Sequence, residues 1–256
     1  MSQLLQEKTA VVLGLANRWS LAYAIAKAFS REGAKLILTY QGERQKQTVE
    51  ELGATLGAAK ILNCDVTNDD ELAQLADALK DDAPIYAVVH SIAFANPEDL
   101  SREFVETSRN GYLLAQNVSA YSLVAVSRTL APLMLSGGSI MTLSYLGAVR
   151  VVRNYNVMGV AKAALEASVR YLANDLGAKN IRVNAISAGP VKTAAARGVK
   201  DFSKVLDGVA QVAPLKRGTD PAEVADTAVF LASPLGRGVT GNVIYVDAGF
   251  HIMGLA

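Results

Sequence analysis

Two tyrosines and a lysine occur close together in the stretch Ser144 to Leu176 and could act on one substrate. Lys162 follows Tyr155 by seven residues, and Tyr145 precedes Tyr155 by ten. The segment after Asn154 is rich in alanine, leucine, methionine and valine and has no proline, which predicts one long helix. Seven residues turn through roughly 700°, about 20° short of two turns. The phenol of Tyr155 and the ammonium of Lys162 therefore share one face, about 10 Å apart along the axis.

The position of this pair in the chain favours a chemical role over an ordinary surface pair. The segment follows a strand-like run at 139–144, and the first strand, 9–14, ends in a turn of the nucleotide-binding kind. The ligands of α/β proteins bind where such strands end. A phenol in that place can donate a hydrogen bond to an oxygen on which negative charge builds.

The composition excludes several classes of protein. The chain has 256 residues, of which 51% are hydrophobic and 19% charged, so it can bury a sizeable core. A formal net charge of +1 argues against a nucleic-acid binder. No run approaches the ~18 uninterrupted apolar residues of a membrane span. Cys64 is the only cysteine, which fits a reducing compartment. We expect a soluble cytoplasmic protein with one domain over residues 1–256.

Seven short apolar runs alternate with helical segments along the chain. The expected strands are 9–14, 34–40, 60–64, 85–90, 139–144, 181–187 and 243–246. The expected helices include 43–57, 69–80, 112–135, 155–176 and 222–231. This alternation predicts a doubly wound α/β domain with a seven-stranded parallel sheet and helices on both faces.

The turn after the first strand has the features of a pyrophosphate site. The strand ends at Gly14, and a helical pattern begins at Leu21 after Ser20, which is a good N-cap residue. Free amides at a helix N-terminus attract anions. The usual dinucleotide fingerprint has three glycines, and here only Gly14 remains, so an ordinary tight turn is an equal interpretation of this stretch.

The ends of the second and third strands carry candidate sugar and base ligands. Gln41 can hydrogen-bond a ribose hydroxyl, and Arg44 could attract a phosphate, although solvated charges on helix faces are commoner. No basic residue stands directly at the strand end, which favours NADH over NADPH. Asp65 could accept from an adenine amino group or could cap the helix that starts near Asn68, and both interpretations stay open.

Other polar residues have less definite roles. Neither His90 nor His251 has metal-ligand neighbours at useful spacing, and each is expected to be structural. Thr193, after a Gly-Pro turn, is suited to hold a carboxamide or a phosphate. Residues 194–209 could be a mobile lid over an apolar pocket or an ordinary surface helix.

The whole chain resembles the short-chain dehydrogenase/reductase superfamily and, within it, the enoyl-acyl carrier protein reductases of type II bacterial fatty acid synthesis. The stretches that carry the resemblance are GLANRWSLAYAIA, CDVTND, HSIAFAN, TLSYLG with NYNVMGVAK, and VNAISAGPVKT. Most of the superfamily has three residues between tyrosine and lysine, whereas six intervene here. Met158 occupies the usual tyrosine position, and Tyr145 stands about where others have a serine. The turn with one glycine also matches this branch.

The resemblance implies a Rossmann-type fold, the cofactor NADH with NADPH as the alternative, and a set of site residues. The implied cofactor-binding residues are Gly14, Ser20, Leu21, Gln41, Asp65, Val66, Ile92, Lys162, Val191, Lys192, Thr193, Ala194 and Ala195. The implied catalytic residues are Tyr145, Tyr155 and Lys162, and the acyl substrate would face Ala95, Tyr145, Tyr155 and Met158. The family is usually homotetrameric, with long helices packed between subunits.

The expected reaction is the reduction of a trans-2-enoyl thioester by hydride transfer to the β-carbon. Tyr155 would donate to the thioester oxygen, Lys162 would hold the nicotinamide ribose, and Tyr145 would close the acyl side of the pocket. A carbonyl reductase protonates the oxygen next to the hydride acceptor, whereas an enoyl reductase must reach two atoms further. A tyrosine placed one helical turn, about 5.4 Å, from its usual position is displaced in the direction of this more distant oxygen. The alternatives are a 3-oxoacyl reductase and a catalytically silent nucleotide-binding regulator.

Overall fold

Seven parallel strands form a single sheet in this structure, which is a computed structural model. The structure describes residues 3–192 and 202–254, and for residues 202–205 it describes only the backbone. The strands are β1 (Thr9–Leu13), β2 (Lys35–Tyr40), β3 (Lys60–Asn63), β4 (Ile85–His90), β5 (Gly138–Ser144), β6 (Ile181–Ala188) and β7 (Val243–Val246). Their order in the sheet is β3-β2-β1-β4-β5-β6-β7. The predicted doubly wound α/β fold is confirmed, and the strand order reverses direction between β1 and β4, where such folds bind ligands.

The described helices lie on both faces of the sheet, as the sequence predicts. They are α1 (Leu21–Arg31), α2 (Glu43–Leu56), α3 (Asp69–Ala78), α4 (Pro97–Ser101), α5 (Arg109–Gln116), α6 (Ser122–Leu130), α7 (Asn156–Gly177), α8 (Phe202–Val212) and α9 (Pro221–Ala232). Within the described ranges, each helix is too short or too polar to cross a membrane.

Two apolar cores hold the layers together. Successive residues of a strand point to opposite faces, so Val12 of β1 packs under α1, α2 and α9, whereas Val11 packs under α3, α6 and α7. Both valines are fully buried. Each such burial contributes roughly 1.5–3 kcal/mol. Because strands covered on both faces carry apolar residues at every position, they read as continuous apolar runs in the sequence.

The predicted long helix at 112–135 is present as one continuous helical run, made of α5, a π-helical turn at Asn117–Tyr121 and α6. The first of these helices starts earlier than predicted, after Ser108, whose side chain accepts from the amide of Gly111. The second gives way to a 3-10 turn that contains Pro132. Proline cannot donate the amide that would continue an α-helix.

The long helix α7 starts one residue after Tyr155, which is its N-cap residue. The two asparagines that flank this tyrosine have positive φ angles, 61° at Asn154 and 34° at Asn156. Asparagine tolerates such angles better than most residues. The chain therefore turns sharply at this tyrosine before it becomes helical.

Candidate active site

A cavity of about 420 Å³ lies at the carboxyl ends of β1, β2, β3 and β4. Such a cavity can hold the adenosine part of a dinucleotide. Its lining includes Gly14, Gln41, Asp65, Val66 and Ile92, all of which the sequence predicted as cofactor residues. The structure thus brings together five residues from four separate stretches of the chain.

The first turn presents free backbone amides beside this cavity. Gly14 has a φ of 90°, and a β-carbon there would lie 2.1 Å from the carbonyl oxygen of Ser91, so only glycine fits. Ser20 caps α1 by accepting from the amide of Tyr23 at 3.1 Å. Among the described residues, none accepts from the amides of Leu21 and Ala22. Unpaired amides at a helix N-terminus suit a pyrophosphate, so the first turn fits a dinucleotide.

Asp65 points toward the second strand, and the helix-cap interpretation of this residue is wrong. Asn68 caps α3, because its side chain accepts from the amides of Asp70 and Glu71. The carboxylate of Asp65 accepts from the amide and hydroxyl of Thr67 and, at 2.9 Å, from the side-chain amide of Gln41. Burial opposes ionisation, but these hydrogen bonds lower the pKa of Asp65. A carboxylate therefore stands beside the predicted ribose site.

The two tyrosines of the predicted catalytic group lie against each other. Tyr145 directly follows β5, and its ring meets the ring of Tyr155 edge to face, with 4.9 Å between centroids. On the other side, Tyr155 lies so close to Gly147 that a β-carbon there would be 2.4 Å from its ring. Burial raises the pKa of Tyr145 to about 12 and raises the pKa of Tyr155 as well. Both phenols therefore stay protonated and can donate at neutral pH.

Lys162 is buried, although it carries an ammonium group. Its ammonium donates to the carbonyl oxygen of Leu143 at 2.7 Å, which anchors it at the end of β5. Burial lowers the pKa of Lys162 to about 8, and the nearby charge of Glu166 offsets part of that shift. The ammonium form consequently predominates only below about pH 8.

Sequence reasoning missed a buried carboxyl group next to Lys162. Glu166 lies one helical turn further along α7 and accepts from the hydroxyl of Ser144 at 2.6 Å. Burial raises the pKa of Glu166. The hydrogen bond from Ser144 and the charges of Arg170 and Lys162 lower it, but they offset only part of the shift. The four-residue spacing of Lys162 and Glu166 was the available signal, because it places them on one helix face.

His90 is structural, as expected, although its surroundings were not predictable. It is fully buried, with Nδ1 2.9 Å from the hydroxyl of Thr142 and Nε2 2.8 Å from that of Ser122. Burial lowers its pKa to about 3, and the charge of Lys162 adds to the effect. A neutral imidazole thus ties β4 and β5 to the start of α6.

Three of the four predicted acyl-facing residues, Ala95, Tyr155 and Met158, belong to a small apolar cluster that does not include Tyr145. Ala95, Leu100, Val157 and Met158 are buried in it, and the ring of Tyr155 packs against it. Their contact with an acyl chain stays a prediction. The remaining predicted residues are Val191, which is buried, Lys192, which is exposed, and Thr193, Ala194 and Ala195, which lie outside the described residues. The predicted lid also lies partly outside them, and its described part begins with α8.

The parallel sheet, the nucleotide-type turn and the tyrosine–lysine helix define a member of the short-chain dehydrogenase/reductase class. Residues 14–251 match the family model described as Enoyl-(Acyl carrier protein) reductase. The chain belongs to the enoyl-acyl carrier protein reductase family.

Similar proteins come from several bacteria. The chain is 57% identical over 255 residues to the enoyl-(acyl-carrier-protein) reductase (NADH) of Bacillus cereus, with 98% of this chain and 100% of that protein covered. It is 50% identical to an enoyl-(acyl-carrier-protein) reductase (NADPH) of Staphylococcus aureus, with 96% and 98% covered.

Solved structures agree with this family. A crystal structure of the Bacillus cereus enzyme with NADP+ and indole naphthyridinone superposes with a TM-score of 0.97 at 57% identity, covering 99% of this chain and 100% of that one. The NADH enzyme of Aquifex aeolicus gives a TM-score of 0.96 at 45% identity, covering 99% and 100%.

Proposed function

We propose that this protein reduces the trans-2 double bond of enoyl thioesters carried by acyl carrier protein, in type II fatty acid synthesis. The observation that carries the proposal is the contact between the Tyr145 and Tyr155 rings, together with a buried Lys162 bonded to Leu143 near the carboxyl end of β5. Family membership supports the same activity.

The cofactor is NADH, with NADPH as the alternative. Two features support NADH: the end of β2 offers Gln41 instead of a cation, and the ionised Asp65 bonded to it would repel a 2′-phosphate. Arg44 is exposed on α2, as expected of a solvated charge. The NADPH-dependent relative and the relative solved with NADP+ keep the alternative open for measurement.

The bound reduced nicotinamide supplies the hydride, and Tyr155 stabilises the charge that follows. When the β-carbon accepts hydride, the electron pair of the double bond shifts and negative charge builds on the thioester oxygen. A proton from water then adds to the α-carbon, which completes the saturated thioester. The raised pKa of Tyr155 keeps its hydroxyl protonated, so it donates to that oxygen. One such donor is worth ~3–4 kcal/mol in other enzymes.

Lys162 and Tyr145 support this step from two sides. The ammonium of Lys162, fixed on the carbonyl of Leu143, would hold the ribose hydroxyls of a bound nicotinamide nucleotide and keep the local potential positive. Tyr145 buttresses the Tyr155 ring and closes the acyl side of the pocket. A 3-oxoacyl reductase is the second candidate, but the six residues between Tyr155 and Lys162 favour the more distant oxygen of an enoyl thioester.

Initial rates test the activity directly. Purified protein is assayed with enoyl and 3-oxoacyl thioesters of several chain lengths, each with NADH and with NADPH. We expect oxidation of NADH with the enoyl thioesters. Faster turnover of the 3-oxo compounds would favour the second candidate, and tight NADH binding without turnover would indicate a silent regulator.

Tyr155→Phe tests the assigned donor. The turnover number should fall roughly 10²- to 10³-fold, while the dissociation constant for NADH stays unchanged. Tyr171→Phe is the matched control, because Tyr171 lies on the same helix and is exposed in the single chain, and phenylalanine keeps the aromatic ring there. Equal turnover in the two variants would remove Tyr155 from the mechanism.

We also propose a cytoplasmic homotetramer that binds acyl carrier protein as the carrier of its substrate. Apolar side chains on the helices expected at subunit contacts support the assembly: Leu113 on α5 and Tyr171 on α7 are 58% and 76% exposed in the single chain. Light scattering should give the mass of four chains. Leu113→Asp should lower that mass, and a monomer in the unmodified protein would refute the assembly.

A further inference from the structure

The backbone around Tyr155 is held in an unusual conformation. The residues on either side, Asn154 and Asn156, both have positive φ angles. Such angles persist only where surrounding contacts fix them, and they concentrate at functional sites. The contacts of Asn156 therefore bear on how the phenol is placed.

The side chain of Asn156 is bonded to a separate part of the chain. Its Nδ2 donates to the carbonyl oxygens of Leu100 at 3.1 Å and of Arg102 at 2.5 Å. These carbonyls lie at the C-terminal end of α4, where a helix has carbonyls without intrahelical donors. One amide group, with its two N–H donors, thus satisfies two of them.

The segment joined in this way forms a wall of the cluster around the phenol. Ala95 and Leu100 pack with Val157 and Met158, and the Tyr155 ring lies against them. The Asn156 amide therefore connects the first turn of α7 to the segment that faces the proposed acyl site.

We infer that Asn156 is a positioning residue, which fixes the Tyr155 hydroxyl relative to the acyl wall by clamping α7 to the carbonyls of residues 100 and 102. This inference rests on the proposed role of Tyr155. The position needs tolerance of a positive φ and two donors on a short side chain. Glycine has the tolerance but no donors, and aspartate would set a carboxylate against two carbonyl oxygens.

The experiment compares Asn156→Gly and Asn156→Asp with Asn180→Gly. Asn180 also has a positive φ, 56°, and lies between α7 and β6, so it controls for the backbone change. Both Asn156 variants should lower kcat at least about tenfold, because small misplacements of reacting groups are costly. The dissociation constant for NADH should not change, since Leu143 still anchors Lys162. Asn180→Gly should keep the kcat of the unmodified protein.

A second comparison separates positioning from general stability. In a Tyr155→Phe background, Asn156→Gly should lower kcat no further, because it acts through the missing hydroxyl. If Asn156→Gly lowered kcat by the same factor in the Tyr155→Phe background as in the unmodified protein, the inference would be overturned. The inference would also be overturned if Asn156→Gly had the same kcat as Asn180→Gly. It would be overturned too if the loss of kcat were fully explained by a lower melting temperature or by weaker NADH binding.

Crystal structures of the Asn156→Gly and Asn180→Gly variants provide a readout that does not depend on turnover. The Tyr155 hydroxyl should move in the first variant and stay in place in the second. An unmoved hydroxyl in both would refute the clamp. If the unmodified protein reduced no enoyl thioester but Tyr155 moved as expected, the proposed function would fail while the positioning role of Asn156 stood.

Discussion

Gly147→Ala should displace the catalytic phenol without adding or removing any ionisable group. The added β-carbon would lie 2.4 Å from Cδ1 and 2.7 Å from Cε1 of Tyr155, and 3.4 Å from Cδ1 of Tyr145. To regain ordinary van der Waals contact, the Tyr155 ring must retreat by about 1 Å. Gly147 is not among the glycines with positive φ, so the substitution adds bulk without added backbone strain.

The expected loss follows from this displacement. A misplacement of about 1 Å at a reacting group can cost on the order of 10²-fold in rate, which is about 2.7 kcal/mol of barrier. Overpacking should also cost about 1–3 kcal/mol of stability. Binding of NADH should change little, because Lys162 is anchored on Leu143 and not on the displaced ring.

The assay is NADH oxidation with a saturating enoyl thioester, alongside a titration of NADH binding and thermal unfolding. Gly177→Ala is the matched control, since Gly177 ends α7 and an added β-carbon there would have no neighbour within 4 Å apart from the adjoining backbone. It should keep full turnover. A folded Gly147→Ala protein with the turnover of this control would refute the assignment of Tyr155, as would a loss confined to NADH affinity.

The remaining predictions concern two groups whose ionisation is shifted by burial. Because the pKa of Lys162 is lowered to about 8, kcat/KM for NADH should fall as pH rises through about 8, where the free protein loses this charge. The Lys162→Met variant should have a low kcat/KM for NADH at every pH and should show no such decline. If its kcat/KM still fell near pH 8, the titration would belong to another group. Cys64 is buried and its pKa is raised to about 12, so a maleimide at pH 8 should label the folded protein far more slowly than the urea-unfolded one. Equal labelling rates would contradict the buried position of Cys64.

Local pattern predicted the layers of the fold but not every helix boundary. Strands such as β4 and β5 could be located because buried parallel strands are apolar throughout. The long helix predicted at 112–135 forms, but local composition did not show its start at Arg109, the π-helical turn at Asn117–Tyr121 or the 3-10 turn at its end. The role of Asp65 was ambiguous between an adenine ligand and a helix cap because aspartate is common at N-cap positions.

The sequence by itself determined which chemical groups are present and their spacing. It places a phenol and an ammonium seven residues apart on one helix, one glycine in the first turn, and no cation directly after the second strand. Tertiary structure alone decided how these groups are held. Three contacts do this, and each joins different segments of the chain. The Tyr145 ring meets the Tyr155 ring, and the carbonyl of Leu143 anchors Lys162. The side chain of Asn156 clamps α7 to the carbonyls of residues 100 and 102. Helical periodicity fixes which residues share a face, because its geometry is local. Which carbonyl or ring meets that face depends on how separate elements pack, and no local pattern encodes it.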